Sequence, residues 1–216
     1  MTWKNNDNAV FYAKTPTKIH KRYASIGGLA NYSDLKLIQS HILQARSILE
    51  VGAGYGRVIE YLLKKGVPGK IYAMERCQKY CAILQKKFLN KIEIFNIDLF
   101  NFNIEIKFDL ILWLWSGITD FSKSEQPIAM NIIAKHLNRR GTFVIDTIAH
   151  AVKPSNVKVL KSRCYVAQVG KYVLHGYIPS PKTILKYGEK LGFAEIRQLP
   201  YLTSSNRPRS MYILSM

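Results

Sequence analysis

The chain has 216 residues, of which 48% are hydrophobic, 12% aromatic and 21% charged. Such a composition buries enough apolar surface for one well-cored domain and excludes a largely disordered or collagen-like chain. The net charge of +18 favours an anionic partner such as RNA or an acidic metabolite, although scattered solvated lysines give the same total. The excess lies in the flanks: residues 1–47 hold 7 basic and 2 acidic residues, residues 48–150 hold 14 and 10, and residues 151–216 hold 11 and 2. The first residues lack the apolar run of a secretory signal. The longest strongly apolar stretch, Leu110 to Trp115, is six residues where a membrane span needs about 20. Cys77, Cys81 and Cys164 form no C-x-x-C pair and are expected as reduced thiols. The expectation is a cytoplasmic protein with no membrane partner.

The first 32 residues are polar and aromatic and read as a loop or short helices. Ser33 and Asp34 then supply a cap for a helix with Leu35, Ile38 and Ile42 on one face. From Ser47 a unit recurs: an apolar β-rich run, a turn, then an amphipathic helix. The strand Ser47 to Val51 feeds a helix over Arg57 to Lys65, and the strand Lys70 to Met74 feeds one over Gln78 to Leu89. Strands follow over Ile92 to Ile97 and Phe108 to Leu114. Ser124 and Glu125 open another helix, which Arg139, Arg140 and Gly141 are expected to close before a strand over Thr142 to Ile145. This alternation implies right-handed crossovers and a doubly wound α/β fold around a mostly parallel sheet. Arg163 to Val169 and Tyr172 to Ile178 then form a hairpin about Gly170 and Lys171. Ser180 and Pro181 start the last helix, and strands over Ala194 to Leu202 and Met211 to Leu214 close the chain.

The most informative stretch is Glu50-Val-Gly52-Ala-Gly54-Tyr-Gly56-Arg57, in which an apolar strand runs through three alternate glycines into a helix. Bare backbone beside a helix N-terminus is a cofactor cradle. A dinucleotide fingerprint G-x-G-x-x-G needs glycine where Arg57 stands, and Glu50 repels a pyrophosphate, so NAD is disfavoured. Glu75, 25 residues beyond Glu50, ends the second strand, and its two oxygens suit ribose hydroxyls. Asp98, 23 residues further on, is expected to end the third strand.

Together these residues resemble motif I, E-x-G-x-G-x-G, and the acidic strand ends of the class I S-adenosylmethionine-dependent methyltransferases. The resemblance implies a seven-stranded Rossmann-like sheet over residues 47–216 with a β-hairpin insertion before the last helix. It also implies an N-terminal cap over residues 1–46. It assigns S-adenosylmethionine to Glu50, Gly52, Ala53, Gly54, Glu75, Arg76, Asp98, Leu99 and Trp113. In the family the residue at Asp98 accepts from the adenine amino group, while the following amide meets a ring nitrogen. Trp113 and Trp115 are candidates to stack on adenine or cover a planar substrate.

Methyl transfer asks mainly for alignment, and a base is required only when the attacking atom must shed a proton early. Candidates for that base or for orienting substrate are His20, Tyr23, Asp146, His150, Tyr177 and His175, with His175 favoured for its place in the inserted hairpin. The Asn/Asp-Pro-Pro-Tyr tetrapeptide of amino-methylating enzymes is absent after the fourth strand. Asp120 and Asp146 are too little to hold a metal, and none is expected. The reading is methyl transfer to a small anionic or aromatic acceptor. The alternatives are an RNA methyltransferase using the basic flanks, or a cofactor-binding regulatory or scaffold protein without turnover.

Overall fold

The structure is a computed structural model that describes residues 8–149, 157–159 and 163–216. Four short helices come first: α1 (Ala9–Lys14), α2 (Thr17–Ile26), α3 (Ser33–Leu37) and α4 (Gln39–Gln44). The expected single helix after Ser33 is thus two, broken at Ile38, whose φ of -114° leaves the helical range. Asp34 caps nothing: it is fully buried in an ion pair with Arg57, while Leu35, Ile38 and Ile42 are buried as expected.

The central sheet runs β1 (Ser47–Val51), α5 (Arg57–Lys64), β2 (Lys70–Met74), α6 (Gln78–Phe88), β3 (Glu93–Phe95), β4 (Phe108–Trp113), α7 (Glu125–Ala134) and β5 (Leu137–Ile148). A smaller antiparallel sheet follows, from β6 (Val157–Val159), β7 (Cys164–Val169) and β8 (Tyr172–Tyr177), with Gly170 and Lys171 turning the β7–β8 hairpin as expected. The helix α8 (Pro181–Lys190) leads into β9 (Glu195–Leu202) and β10 (Pro208–Ser215). Ser180 caps α8 by accepting from the Thr183 amide, and Pro181 occupies the first turn, where its missing N–H costs nothing.

The large sheet has seven strands in the order β3-β2-β1-β4-β5-β10-β9. β1 to β5 are parallel, and β10 runs antiparallel to both neighbours. Period-two burial clothes both faces. Ile48, Leu110, Leu112 and Val144 pack with Val58, Ile59 and Leu62 of α5 and Leu84 of α6. The alternate residues Leu49, Ile111, Trp113 and Phe143 pack with Met130 and Ile133 of α7 and Ile184 of α8. This is the doubly wound α/β fold expected from the alternation.

The junction of α7 and β5 differs from the expectation. Arg139, Arg140 and Gly141 do not close α7, which ends at Ala134; they lie within β5. The register slips between Phe108↔Leu137 and Leu110↔Thr142, and Asn138 fills the irregularity by donating to Asp109 Oδ1 at 2.6 Å. The chain order reverses between β1 and β4, which opens a crevice at their carboxyl ends, where open parallel sheets bind ligands.

Candidate functional site

At that crevice β1 delivers Glu50 and Val51 into the glycine turn. Gly52 and Gly54 have φ of 71° and 54°, a region costly to any side chain. A Cβ at Gly52 would meet nothing within 4 Å, and one at Gly54 only the Gly52 carbonyl at 4.0 Å, so both present bare backbone to open space. Gly56 does a different job. Its absent Cβ would lie 2.4 Å from the Phe88 ring, so it lets α5 close on α6.

The turn is pinned from β2. Met74 O accepts from the amides of Gly52 and Ala53 at 2.8 and 3.1 Å, and Glu75 Oε2 accepts from Gly54 N at 2.7 Å. Glu75 Oε1 accepts from Cys77 N at 2.7 Å. Each carboxylate oxygen thereby keeps a lone pair, and burial raises the Glu75 carboxyl against the pull of these amides.

A cavity of about 450 Å³ lies over this turn. All nine residues expected to meet a cofactor line it, from Glu50 through Trp113. Glu50 is buried, and its Oε2 has no hydrogen-bond partner among the described residues. Burial lifts its carboxyl well above the usual range, Arg57 opposes that and Glu75 adds to it. Asp98 does not end β3, which stops at Phe95; it caps the short 3₁₀ turn Leu99–Asn101 by accepting from Phe100 N, and pairs with Arg76 at 3.1 Å. The Trp113 indole is edge-on to Phe121 and nearly parallel to Phe143.

The cover comes from α1, α2 and the small sheet, through Phe11, Tyr12, His20, Tyr23, Tyr165 and Leu174. Asn8 stitches it together. Fully buried, it exchanges both backbone hydrogen bonds with His175 of β8 and donates to Asp120 O at 3.0 Å.

The expected base candidates divide. His20 lines the cavity, stacked on Tyr12 and edge-on to Phe11 and Tyr80, with Nε2 buried and unpartnered among the described residues. Burial, helped by Lys79, pushes it down to about 4, so it is neutral at pH 7 and a weak base. Tyr23 lines the cavity but is 40% exposed. His175 does not line it: it pairs across the hairpin with Val166, while its neighbour Leu174 pairs with Ala167 and faces the cavity. Tyr177 is buried and is likewise not on the wall. Asp146 is fully buried beneath the site, where it accepts from Arg209 at 2.6 Å, Tyr201 at 2.9 Å and the Trp115 amide at 3.0 Å. It ties β9, β10 and the turn after β4 together. His150 lies outside the described residues.

Tyr12, which the sequence does not single out for chemistry, and Asp120, which it weighs only as a metal ligand, meet at the cavity wall. Tyr12 Oη donates to Asp120 Oδ2 at 2.5 Å, and burial lifts the Asp120 carboxyl to about 7 although Tyr12 and Arg76 hold it down. The only available signal was the position of Asp120 in the loop after β4.

The buried neutral His20 gives a test of this packing. A histidine whose folded pKa is lowered adds stability above its ordinary 6.5 and loses it as pH falls toward 4. Relative to His20→Phe, the parent is therefore expected to lose stability between about pH 6.5 and 4 and to keep a constant offset above pH 7. Denaturant midpoints at pH 7.5 and 4.5 read this, and parallel profiles would mean that His20 protonates freely in the fold.

Comparison with known proteins bears on the site as a whole. Residues 48–141 match the family described as "Methyltransferase domain". No curated protein sequence matches the chain. The 1,6-didemethyltoxoflavin-N1-methyltransferase of Burkholderia thailandensis superposes with a TM-score of 0.72 at 13% identity, covering 100% of this chain and 91% of its own. A sugar N-methyltransferase from Streptoalloteichus has a TM-score of 0.65 at 18% identity, covering 93% and 92%. A glycopeptide N-methyltransferase complexed with S-adenosylhomocysteine has 0.68 at 15% identity, covering 94% and 98%. Residues 48–141 thus match a methyltransferase domain, and the chain as a whole shares its fold with solved methyltransferases.

Proposed function

We propose that the cavity transfers a methyl group from S-adenosylmethionine to a small aromatic acceptor. The observation that carries this reading is the open glycine turn beneath a covered, aromatic-walled cavity. The residues present fit the cofactor. Gly52 and Gly54 leave room for it against backbone, and the Oε2 of Glu50, unpartnered among the described residues, lacks a hydrogen-bond donor that an amino-acid ammonium would supply. The lone pairs left on Glu75 suit ribose hydroxyls, and Asp98 with the Leu99 amide suits the adenine edge. When bound, the cofactor supplies a methyl group on a positively charged sulfur.

The chain's own contribution is then alignment and exclusion of water. Trp113 and Trp115 border both cofactor and acceptor, and the segment before β1 acts as the cap through Phe11, Tyr12, His20 and Tyr23. Of the two acceptor types expected, this wall favours the aromatic one. Arg57, Arg76 and Arg209 line the cavity but are already paired with Asp34, Asp98 and Asp146, which leaves them poor hosts for an anion. The 1,6-didemethyltoxoflavin and the sugar named for two structural neighbours agree with a compact acceptor. Free cysteines, and no helix among the described residues long and apolar enough to cross a membrane, fit a reducing, cytoplasmic setting.

Calorimetric titration with S-adenosylmethionine, S-adenosylhomocysteine and NAD tests the reading. Micromolar binding of the first two with none of the third is expected. Silence toward both adenosyl compounds would overturn it. Tight binding without transfer to any metabolite or RNA pool would instead favour a regulatory or scaffold protein, and transfer to RNA alone would turn the basic flanks into the substrate surface.

A further inference from the structure

Six carboxylates lie in or just behind the cavity wall, and four are bonded to an arginine or to backbone amides. Asp34, Asp98 and Asp146 each hold an arginine and Glu75 holds two backbone amides, while Glu50, with Arg57 nearby, has its free Oε2 at the glycine turn, where the proposed cofactor lies. Asp120 differs. Its Oδ2 accepts from the neutral phenol of Tyr12, its Oδ1 accepts from no described residue, and it takes part in no ion pair among the described residues. It nonetheless lines the cavity, on the 3₁₀ turn Gly117–Asp120 that follows β4.

The groups facing Asp120 come from four directions. From α1 there is Tyr12, backed by His20 of α2 and held by Lys79 Nζ on its carbonyl oxygen. From the end of β2 there are Arg76, committed to Asp98, and Glu75, committed to backbone amides. From β7 there is Tyr165, whose hydroxyl meets Thr119 Oγ1 at 2.8 Å. From its own turn there is Phe121, edge-on to Trp113 and to Phe100. The result is one carboxylate, with no cation of its own, in a wall of aromatic rings. That is the environment in which an ammonium group gains both a charge-assisted hydrogen bond and ring faces.

We propose that Asp120 receives the acceptor as a cation and takes its proton, so that the methyl acceptor is an aromatic compound bearing a primary or secondary amine. This inference rests on the methyl-transfer reading of the cavity. In the proton step an N–H bond of the ammonium breaks, its electron pair stays on nitrogen, and an O–H bond forms at Asp120 Oδ1. Tyr12 continues to donate to Oδ2 and so fixes the carboxyl plane. The neutral amine then holds the lone pair that attack on a methyl carbon requires, and the proton on Asp120 passes to solvent when the product leaves. A carboxyl lifted by burial to about 7 is matched to this exchange at neutral pH, where it both takes and returns a proton readily.

The test begins with S-adenosylhomocysteine titrated into the parent and Asp120→Asn proteins. Dissociation constants within twofold of each other are expected, which shows that the variant is folded. Methyl transfer from labelled S-adenosylmethionine is then followed to benzylamine, tyramine and N-methylbenzylamine, with benzyl alcohol, phenol and benzoate as matched probes. We expect transfer to amines alone, about a 100-fold loss of kcat/KM in Asp120→Asn, and an acid limb near pH 7 in the parent that Asp120→Glu displaces. Titration of benzylamine into the S-adenosylhomocysteine complex should show binding that Asp120→Asn abolishes. Transfer to phenol, alcohol or benzoate in place of amines, an Asp120→Asn protein as fast as the parent, or no amine methylated or bound while S-adenosylhomocysteine binds would each overturn the amine proposal and leave the methyltransferase reading standing. Absence of S-adenosylhomocysteine binding in the parent would overturn that reading instead.

Discussion

Asp34→Ala is expected to lower the stability of the fold by about 3–5 kcal/mol, read as a drop in denaturant midpoint at unchanged slope. Asp34 is fully buried and meets Arg57 through two parallel bonds, Nη1 to Oδ1 at 2.9 Å and Nη2 to Oδ2 at 2.5 Å, while Nη1 also donates to the Leu29 carbonyl at 3.0 Å. Burial opposes the charge on Arg57, and Asp34 is the chief group sustaining it. Truncating Asp34 leaves a buried guanidinium, whose Nε is already unpartnered among the described residues, without its chief counter-charge, and the cost is that of a poorly compensated charge. A same-shape apolar pair, Asp34→Leu with Arg57→Met, is expected to recover most of the loss, because neither charge then needs to be buried. Asp146→Ala belongs to the same class, since it strands Arg209. An Asp34→Ala protein as stable as the parent would mean that Glu50 alone satisfies Arg57. The pair also carries function: Arg57 is the first residue of α5 after the glycine turn, and Asp34 and Leu29 belong to the segment that covers the cavity. The covering segment and the turn are locked by one buried contact, so S-adenosylhomocysteine affinity should fall with stability in Asp34→Ala.

That contact marks the border between what was legible in the sequence and what was not. The strands Ser47–Val51 and Lys70–Met74 and the cap of α8 follow from local pattern, because a short apolar run bounded by turn residues and a Ser-Pro helix start are settled within a few residues. The glycine turn was legible for the same reason: its conformation demands glycine where it stands. Asp34 looked like a helix cap because Ser-Asp before an apolar run is one locally, yet an arginine 23 residues away outbids the free amides of α3. The apolar run Ile92 to Ile97 points to a strand that ends at Asp98, but β3 pairs on one side only and stops early, at Phe95. His175 was favoured from its hairpin, which does wall the cavity, but the strand's period of two turns His175 away and Leu174 inward. Asp120 carried no local mark. Its character comes from Tyr12, 108 residues earlier in the chain, and from burial under α1, neither of which a spacing rule reaches.

Glu75→Ala is expected to weaken S-adenosylhomocysteine binding by about 1–3 kcal/mol, roughly 5- to 150-fold, through loss of charge-assisted bonds to the ribose. The same side chain, however, also accepts from Gly54 N and Cys77 N, each at 2.7 Å, so its removal loosens the turn on which the cofactor lies. The two causes separate with an S-adenosylhomocysteine analogue lacking both ribose hydroxyls. If Glu75 bonds the hydroxyls, the parent prefers the natural compound and Glu75→Ala does not, so the variant loses affinity for the natural compound and little for the analogue. If Glu75 serves only to pin the turn, the variant loses affinity for both in equal measure. The fold argues for the first outcome. Each Glu75 oxygen spends a single lone pair on a backbone amide, and the side chain lines the cavity despite being 7% exposed. Burial raises its carboxyl even against those two amides, so a ligand offering two further donors would return to the carboxylate the solvation it lost on folding. The coupling between Glu75 and the ribose hydroxyls should therefore be positive and of the size of one to two charged hydrogen bonds.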